Sequence, residues 1–339
     1  VTARGDDLMQ LIVRAPRRYH VSQDTVEEFE AAILSDDRVV PAAATPVIDS
    51  AIAGAARLIA RAGASPGRLL RARRASSGAQ DDFLAVMMDL DFSRIAPWFA
   101  RSARKSIYLF DAWPSRHAAI RDLVESWGIQ YAFVSSSEAA MRLATISDHC
   151  TFIWVPEGVD PLRYQQRSPL ERDIDVIQLG RRYDEHHAII ARVLAAAGKQ
   201  YVHERTKGEI VFPSRKDFIA GLARARVSVC VPSSVTHPER AGDVETMTTR
   251  YLQSMASKCL VLGHAPREMI EIFGYNPVVE IEMPRAGDQV LEVLSDYEAY
   301  LPLVERNYEA VIESHTWARR WERMSDVLFG ARAPGSQPA

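Results

Sequence analysis

Apolar residues follow two rhythms along this chain. Short runs rich in Val, Ile, Leu and Phe alternate with longer stretches in which apolar positions return every three or four residues. Together the two rhythms describe parallel sheets covered by helices. In the first half, strands are predicted over Leu8–Val13, Phe83–Met88, Ser106–Phe110, Tyr131–Val134 and Phe152–Val155. Helices are predicted over Thr25–Leu34, Pro46–Ala62, Ser93–Ala103, Ser115–Trp127 and Ser136–Thr145, with Asp24 and Glu27 at capping-box spacing before the first. The alternation then restarts, with strands at Asp175–Leu179, Tyr201–His203, Arg226–Val231, Cys259–Gly263 and Val278–Ile281. The second set of helices covers His186–Ala197, Arg215–Ala223, Glu245–Ser257, Pro266–Phe273 and Gln289–Leu294, with one or two more between Tyr300 and Leu328.

The pattern breaks where Pro156, Gly158, Pro161 and Pro169 punctuate a polar stretch. The chain therefore reads as two successive Rossmann-like, doubly wound α/β domains with a cleft between them. The first is expected over residues 1–157 and a linker over 158–172. The second follows over 173–312, then a C-terminal helix over 313–330 that packs back on the first domain, and a frayed tail over 331–339. Its 339 residues are enough for two cores. In such sheets ligands bind at the carboxyl ends of the strands, so the residues just after each strand are the ones to inspect.

Charge removes several function classes. A net charge of −3 supplies no global attraction to nucleic acid, so no nucleic-acid partner is expected. The three cysteines, Cys150, Cys230 and Cys259, lack metal-ligand spacing, and two lie in apolar runs, which suits reduced thiols in a cytoplasmic protein. No run of about 18 apolar residues suggests a spanning helix, and Val1–Asp7 lacks the regions of a signal peptide. The arginine-rich stretch Arg57–Arg74 is either a solvated face or a peripheral contact with an anionic membrane surface.

Candidate chemistry gathers at strand ends. Arg181 and Arg182 follow Gly180 after an apolar strand, where a guanidinium can neutralise phosphate through paired hydrogen bonds. The alternative is pairing with Asp184 and Glu185. His186 and His187 are adjacent, so they diverge by about 100° on a helix and cannot chelate one ion together; His186 either assists phosphate binding or lies on the surface. Glu245, Thr246, Thr248 and Thr249 fall at a predicted helix start that can hold a diphosphate, with Arg250 and Gln253 one to two turns in; the same segment also reads as an N-capped helix packed on a sheet. Asp111 beside Trp113 ends a first-half strand and either recognises sugar hydroxyls or caps the next helix. Asp89–Leu90–Asp91 and Asp173–Ile174–Asp175 both match D-x-D, a pattern too common to assign a metal; none is expected.

These segments resemble the GT-B glycosyltransferases, specifically the retaining family 4 type with a "glycosyl transferases group 1" C-terminal domain. Ile153–Asp160 is similar to the family's "vvPnGVD" and Asp175–Arg182 to its "vGR" strand and loop. Glu245–Gly263 is similar to its "E-x7-E" stretch followed by "AMA-G-PVI", with Pro232–Ser234 matching the preceding "PS". The likeness spans roughly Tyr131 to Phe273. It implies a transferase using a nucleotide diphosphate sugar, with retention, without metal or other cofactor, and with a small-molecule, glycan or lipid-linked acceptor. By the resemblance, Arg181 contacts the diphosphate, Glu245 the sugar hydroxyls, and Gln253 stands where the family's second acid holds the ribose. The chain departs from the pattern in that amide, in His186 at the family's lysine with Arg182 supplying charge nearby, and in Lys258 at its usual glycine. The N-terminal glycine-rich loop and first-domain histidine have no counterpart. The other readings are a GT-B-like epimerase or inverting transferase, and a sugar-nucleotide-binding partner subunit.

Overall fold

The computed structural model describes residues 8–12, 23–43, 46–72, 82–92, 95–100, 102, 104–180, 182–206 and 209–330. Eleven strands appear among them: β1 Met9–Ile12, β2 Val39–Pro41, β3 Asp82–Met87, β4 Arg104–Leu109, β5 Tyr131–Val134, β6 Thr151–Trp154, β7 Ile174–Gln178, β8 Tyr201–His203, β9 Ala225–Cys230, β10 Leu260–Gly263 and β11 Val279–Glu280. They form two sheets, one ordered β2-β1-β3-β4-β5-β6 and the other β11-β10-β9-β7-β8. Every pairing is parallel.

Parallel strands need crossovers, and the helices supply them while covering both faces. Alternate residues therefore serve opposite cores. Phe83, Ala85, Met87, Ile107 and Leu109 enter one cluster, and Leu84, Val86 and Tyr108 enter the other. The second sheet is divided likewise: Ile177 and Val261 face one side, while Val176, Leu260 and Leu262 face the other.

The last helix, Trp317–Phe329, crosses back to the first sheet. Trp317 stacks on Phe29 with ring centroids 4.4 Å apart, and Trp321, Met324 and Leu328 join the same core as Leu11 and Val86. The connection between the sheets is tied to the start of this helix, since Val159 accepts from Trp317 N (3.1 Å) and donates to His315 O (3.2 Å).

Several elements differ from expectation. β2 is three residues long and ends in Pro41, too short for a period to register. The helix expected over 93–103 is reduced to Ala96–Phe99, with a proline in its first turn. A further helix, Pro66–Ala72, lies within the arginine-rich stretch. The helix after Asp243 starts at Thr249 instead of Glu245, with Thr248 extended at its N-cap. The first helix begins at Asp24 with Gln23 at its N-cap and no side-chain cap bond, so the expected capping box does not form.

The helix Thr249–Ala256 ends in a Schellman motif: Cys259 N donates to Ser254 O and Lys258 N to Met255 O, both at 2.9 Å. Lys258 adopts φ 55°, among the described residues the sole non-glycine with positive φ, where the resembled family carries glycine. The three cysteines are buried and free, and burial pushes Cys150 up to about 12 and Cys259 up to about 11, so both stay thiols. Among the described residues no helix is long and apolar enough to cross a membrane.

Candidate functional site

The carboxyl ends of the two sheets face each other. The turn Pro114–Arg116 after β4 packs on Pro238–Ala241 after β9. Helix Ser137–Ala144 after β5 meets helix Arg267–Phe273 after β10. Here the buried Glu268 carboxylate accepts from Ser137 N and Met247 N, each at 2.8 Å, so one side chain joins both halves. Burial pushes its carboxyl up to about 7 in spite of those two donors. Arg142 and Asp243 add a pair of 2.9 Å bonds across the same seam, and Arg267 binds Glu138.

Groups without partners collect at the ends of β7 and β9. Gly180 follows β7 at φ 74°, and a Cβ there would sit 2.4 Å from Arg250 Nη2, so glycine is what lets that guanidinium lie on the strand end. Arg250 is half-buried and makes no ion pair among the described residues. His186 Nδ1, Ser234 Oγ and Thr246 Oγ1 are buried with no hydrogen-bond partner among the described residues. Native interiors rarely leave such atoms unsatisfied, and these three follow β7 and β9 in the chain, where such sheets bind polar ligands. Burial, aided by the nearby charge of His264, pushes His186 below its ordinary value.

The other sequence candidates are placed differently. Arg181 lies outside the described residues. Arg182 donates to Asp184 Oδ1 (2.9 Å) and to Glu204 O (3.1 Å), tying the loop after β7 to the loop after β8. Thr248 is half-buried at the helix N-cap. Thr249 gives both its N–H (2.5 Å) and its hydroxyl to the buried carboxylate of Glu157, and contacts Thr25 of the first helix at 2.9 Å. The carboxyl group of Glu157 already caps this helix, and a diphosphate at Thr249 N would have to displace it. Gln253 is buried beside Tyr164, whose hydroxyl donates to Glu28 Oε1 (2.9 Å). Glu28 also accepts from Asp160 N (3.0 Å) and pairs with Arg215 of the second half. Asp111 stands half-buried after β4, followed by the buried Ala112 and Trp113; the N-cap positions of the turn and the helix that follow are Trp113 and Arg116.

Glu245 lies in the loop before the helix. Its Oε1 is 3.1 Å from His264 Nε2, and its Oε2 accepts from Arg267 N at 3.1 Å. His264 Nδ1 is 3.1 Å from Glu280 Oε2. The bond to Glu280, and then that to Glu245, raise the imidazole to about 9 against the cost of burial, so it is charged at neutral pH. Beside this group a cavity of about 510 Å³ opens between the halves, with Glu138, Trp154, Glu245 and Glu271 on its walls. His264 was missed in the sequence, although it directly follows β10 and the rule that selects Arg181 selects it too. Glu28, Glu157, Arg215 and Glu268 carry no local signal, because their partners lie far along the chain. In the second D-x-D, Asp173 pairs with Arg224 and Asp175 with Arg226. Among the described residues no group of three or more His, Cys, Asp and Glu is placed to hold an ion.

No family model matches the chain, and no curated protein matches it in sequence. Solved structures do match in fold. Alr3699/HepE from Anabaena, in complex with UDP and glucose, superposes with a TM-score of 0.59 at 9% identity, covering 95% of this chain and 99% of that one. Sucrose-phosphate synthase from Thermosynechococcus elongatus superposes with a TM-score of 0.54 at 13% identity, covering 96% and 100%. At such identities the likeness is one of architecture: the chain has the GT-B fold, two Rossmann-like units whose parallel sheets hold six and five strands.

Proposed function

We propose that this protein is a glycosyltransferase that takes a sugar from a nucleotide diphosphate donor bound on the second sheet and passes it to an acceptor held by the first. The observation that carries this reading is the guanidinium of Arg250 on Gly180, without an ion pair among the described residues, with the polar atoms of His186, Ser234 and Thr246 that lack partners among those residues after β7 and β9. A diphosphate supplies the acceptors and the negative charge those groups lack. In this reading the second domain runs over 173–312, the linker over 158–172, and the first domain comprises 1–157 with the helix of 313–330.

Charge builds on the leaving diphosphate as the sugar becomes oxocarbenium-like. Arg250, seated on Gly180, is a cation in place to stabilise it, and Arg181, next to Gly180 in sequence, supplies a second positive charge. Retention is the expected outcome, with the leaving phosphate aiding deprotonation of the acceptor. No metal is needed, since arginine supplies the counter-charge. Glu245 holds the sugar hydroxyls. Gln253, packed on Tyr164, serves the ribose only if that cluster opens. UDP is the first nucleotide to try, because the HepE complexes contain UDP and UDP-glucose. A lipid-linked acceptor would bring Arg57–Arg74 to an anionic surface, which vesicle co-sedimentation tests.

The direct test is a melting curve with UDP, GDP or dTDP in EDTA. At one hundred times the dissociation constant, linkage stabilises the fold by about 2.7 kcal/mol. No shift with any of the three, with or without magnesium, contradicts the reading. A second reading, a nucleotide-sugar-binding subunit without turnover, is favoured by the Glu157 carboxylate at Thr249 N. Hydrolysis of a donor panel separates the two: binding with release of free sugar supports the transferase, and binding without it supports the subunit.

A further inference from the structure

We infer that His264, anchored by Glu280, is a positioning residue that aims the Glu245 carboxylate at the donor sugar and so governs how the sugar half of the donor is recognised. The inference rests on the donor site proposed above. Glu245 projects from a loop, so no helix orients it. Its two oxygens are fixed one each, by His264 Nε2 and by Arg267 N, both at 3.1 Å.

His264 is itself held on every side. Its N–H donates to Cys230 O (3.1 Å) and its carbonyl accepts from Tyr251 OH (2.7 Å). Gly263 before it lies so close to β9 that a Cβ would fall 1.7 Å from Cys230 O, which fixes the backbone leading into the histidine. Its Nδ1 meets Glu280 Oε2, while Glu280 Oε1 accepts from Ala265 N and Asn276 Nδ2, both at 3.0 Å. Glu280 is thus a fixed post, and the row Glu280–His264–Glu245 runs from β11 across the end of β10 toward the cleft.

The row works in one protonation state. A charged imidazole donates from both nitrogens, one to each carboxylate. A neutral imidazole turns one bare nitrogen toward a carboxylate, and Glu245 loses a restraint. Among the described residues, Glu245, Glu280, Arg267, the imidazole of His186 and the Tyr251 hydroxyl are charged or titratable groups around it. The imidazole's rise to about 9 follows from the two carboxylates, so sugar recognition should persist at neutral pH and fade as pH rises through about 9.

Calorimetry of the full chain tests this. The probes are UDP and GDP against UDP-glucose, UDP-N-acetylglucosamine and GDP-mannose, with wild type, Glu280→Gln and His264→Gln. At pH 7.5 the wild type binds at least one sugar nucleotide more tightly than the matching diphosphate. Each variant loses that preference by roughly 10-fold, a charge-assisted bond's worth, and keeps its diphosphate affinity. An imidazole NMR titration of Glu280→Gln shows the His264 midpoint lowered, and the pH at which preference disappears falls with it. If no diphosphate binds the wild type, the donor-site reading falls and this inference with it. If diphosphates bind but the variants keep the wild-type preference, or no sugar adds affinity in the wild type, the inference alone falls.

Discussion

Two polar regions flank the helix Thr249–Ala256, and they are built on opposite principles. On one side Glu28, Arg215, Tyr164 and Asp160 bind one another, with Arg215 Nη1 in ionic contact with Asp24 at 3.6 Å, and Gln253 lies beside Tyr164. On the other, Arg250 lies on Gly180 without a counter-ion among the described residues, close to strand ends that carry orphaned atoms. The first region joins the two halves near the connecting segment; the second leaves charge and hydrogen-bonding capacity unspent. A protein gains stability from the first arrangement and loses some to the second, and under the function proposed above the second is where the nucleotide binds.

Breaking the satisfied side should have the largest effect. Arg215→Ala leaves Glu28 buried without its cation, and such losses cost about 3–5 kcal/mol. Melting should show that loss, with nucleotide affinity of the folded fraction near wild type. Gln253 sharpens the comparison, since its sequence position suggests the ribose and its packing suggests the joint. Gln253→Glu places a second carboxylate near Glu28 and should destabilise by roughly 2 kcal/mol, while Gln253→Leu should cost less, because Tyr164 keeps Glu28. The reverse order in melting curves, with nucleotide affinity improved by Gln253→Glu, would return this residue to the ribose.

The seam between the halves also titrates. Glu268 holds its proton up to about 7 in the fold, above its ordinary value of 4.5, so the folded state binds the proton more tightly than the unfolded chain. That stabilisation is complete below about pH 4.5 and is lost as pH rises through about 7. His264, raised from 6.5 to about 9, adds a contribution that is complete below about 6.5 and lost through about 9. Melting temperature should therefore carry two descending steps, the first absent in Glu268→Gln and the second in His264→Gln. The smallest expected effect is at Lys258, where the left-handed backbone costs a side chain about 1–2 kcal/mol. Lys258→Gly should stabilise by roughly 1 kcal/mol, reduced by loss of the Lys258–Glu305 pair.

Much of the architecture was legible because buried parallel strands are short, apolar and bounded by polar turns. Tyr131–Val134 and Tyr201–His203 match to the residue. What escaped was local structure decided at long range. Glu245–Thr248 continues the helical pattern in sequence, yet the chain leaves the helix there because Glu245 is bound by His264 and Arg267. The capping box at Asp24 fails in the same way, since Asp24 faces Arg215 of the other half, 3.6 Å away. The site was half legible: strand-end logic led to Gly180, His186 and the segment containing Arg250, but not to Glu157, whose binding to Thr249 spans 92 positions.

Calorimetric binding of UDP and of uridine in EDTA to the wild type and to Arg250→Ala decides whether the guanidinium on Gly180 holds a diphosphate. UDP should bind, Arg250→Ala should weaken UDP by roughly 10-fold or more, as loss of a charge-assisted hydrogen bond requires, and uridine affinity and melting temperature should barely change. Arg250→Ala that binds UDP as the wild type does, or that weakens UDP and uridine equally, would contradict that role.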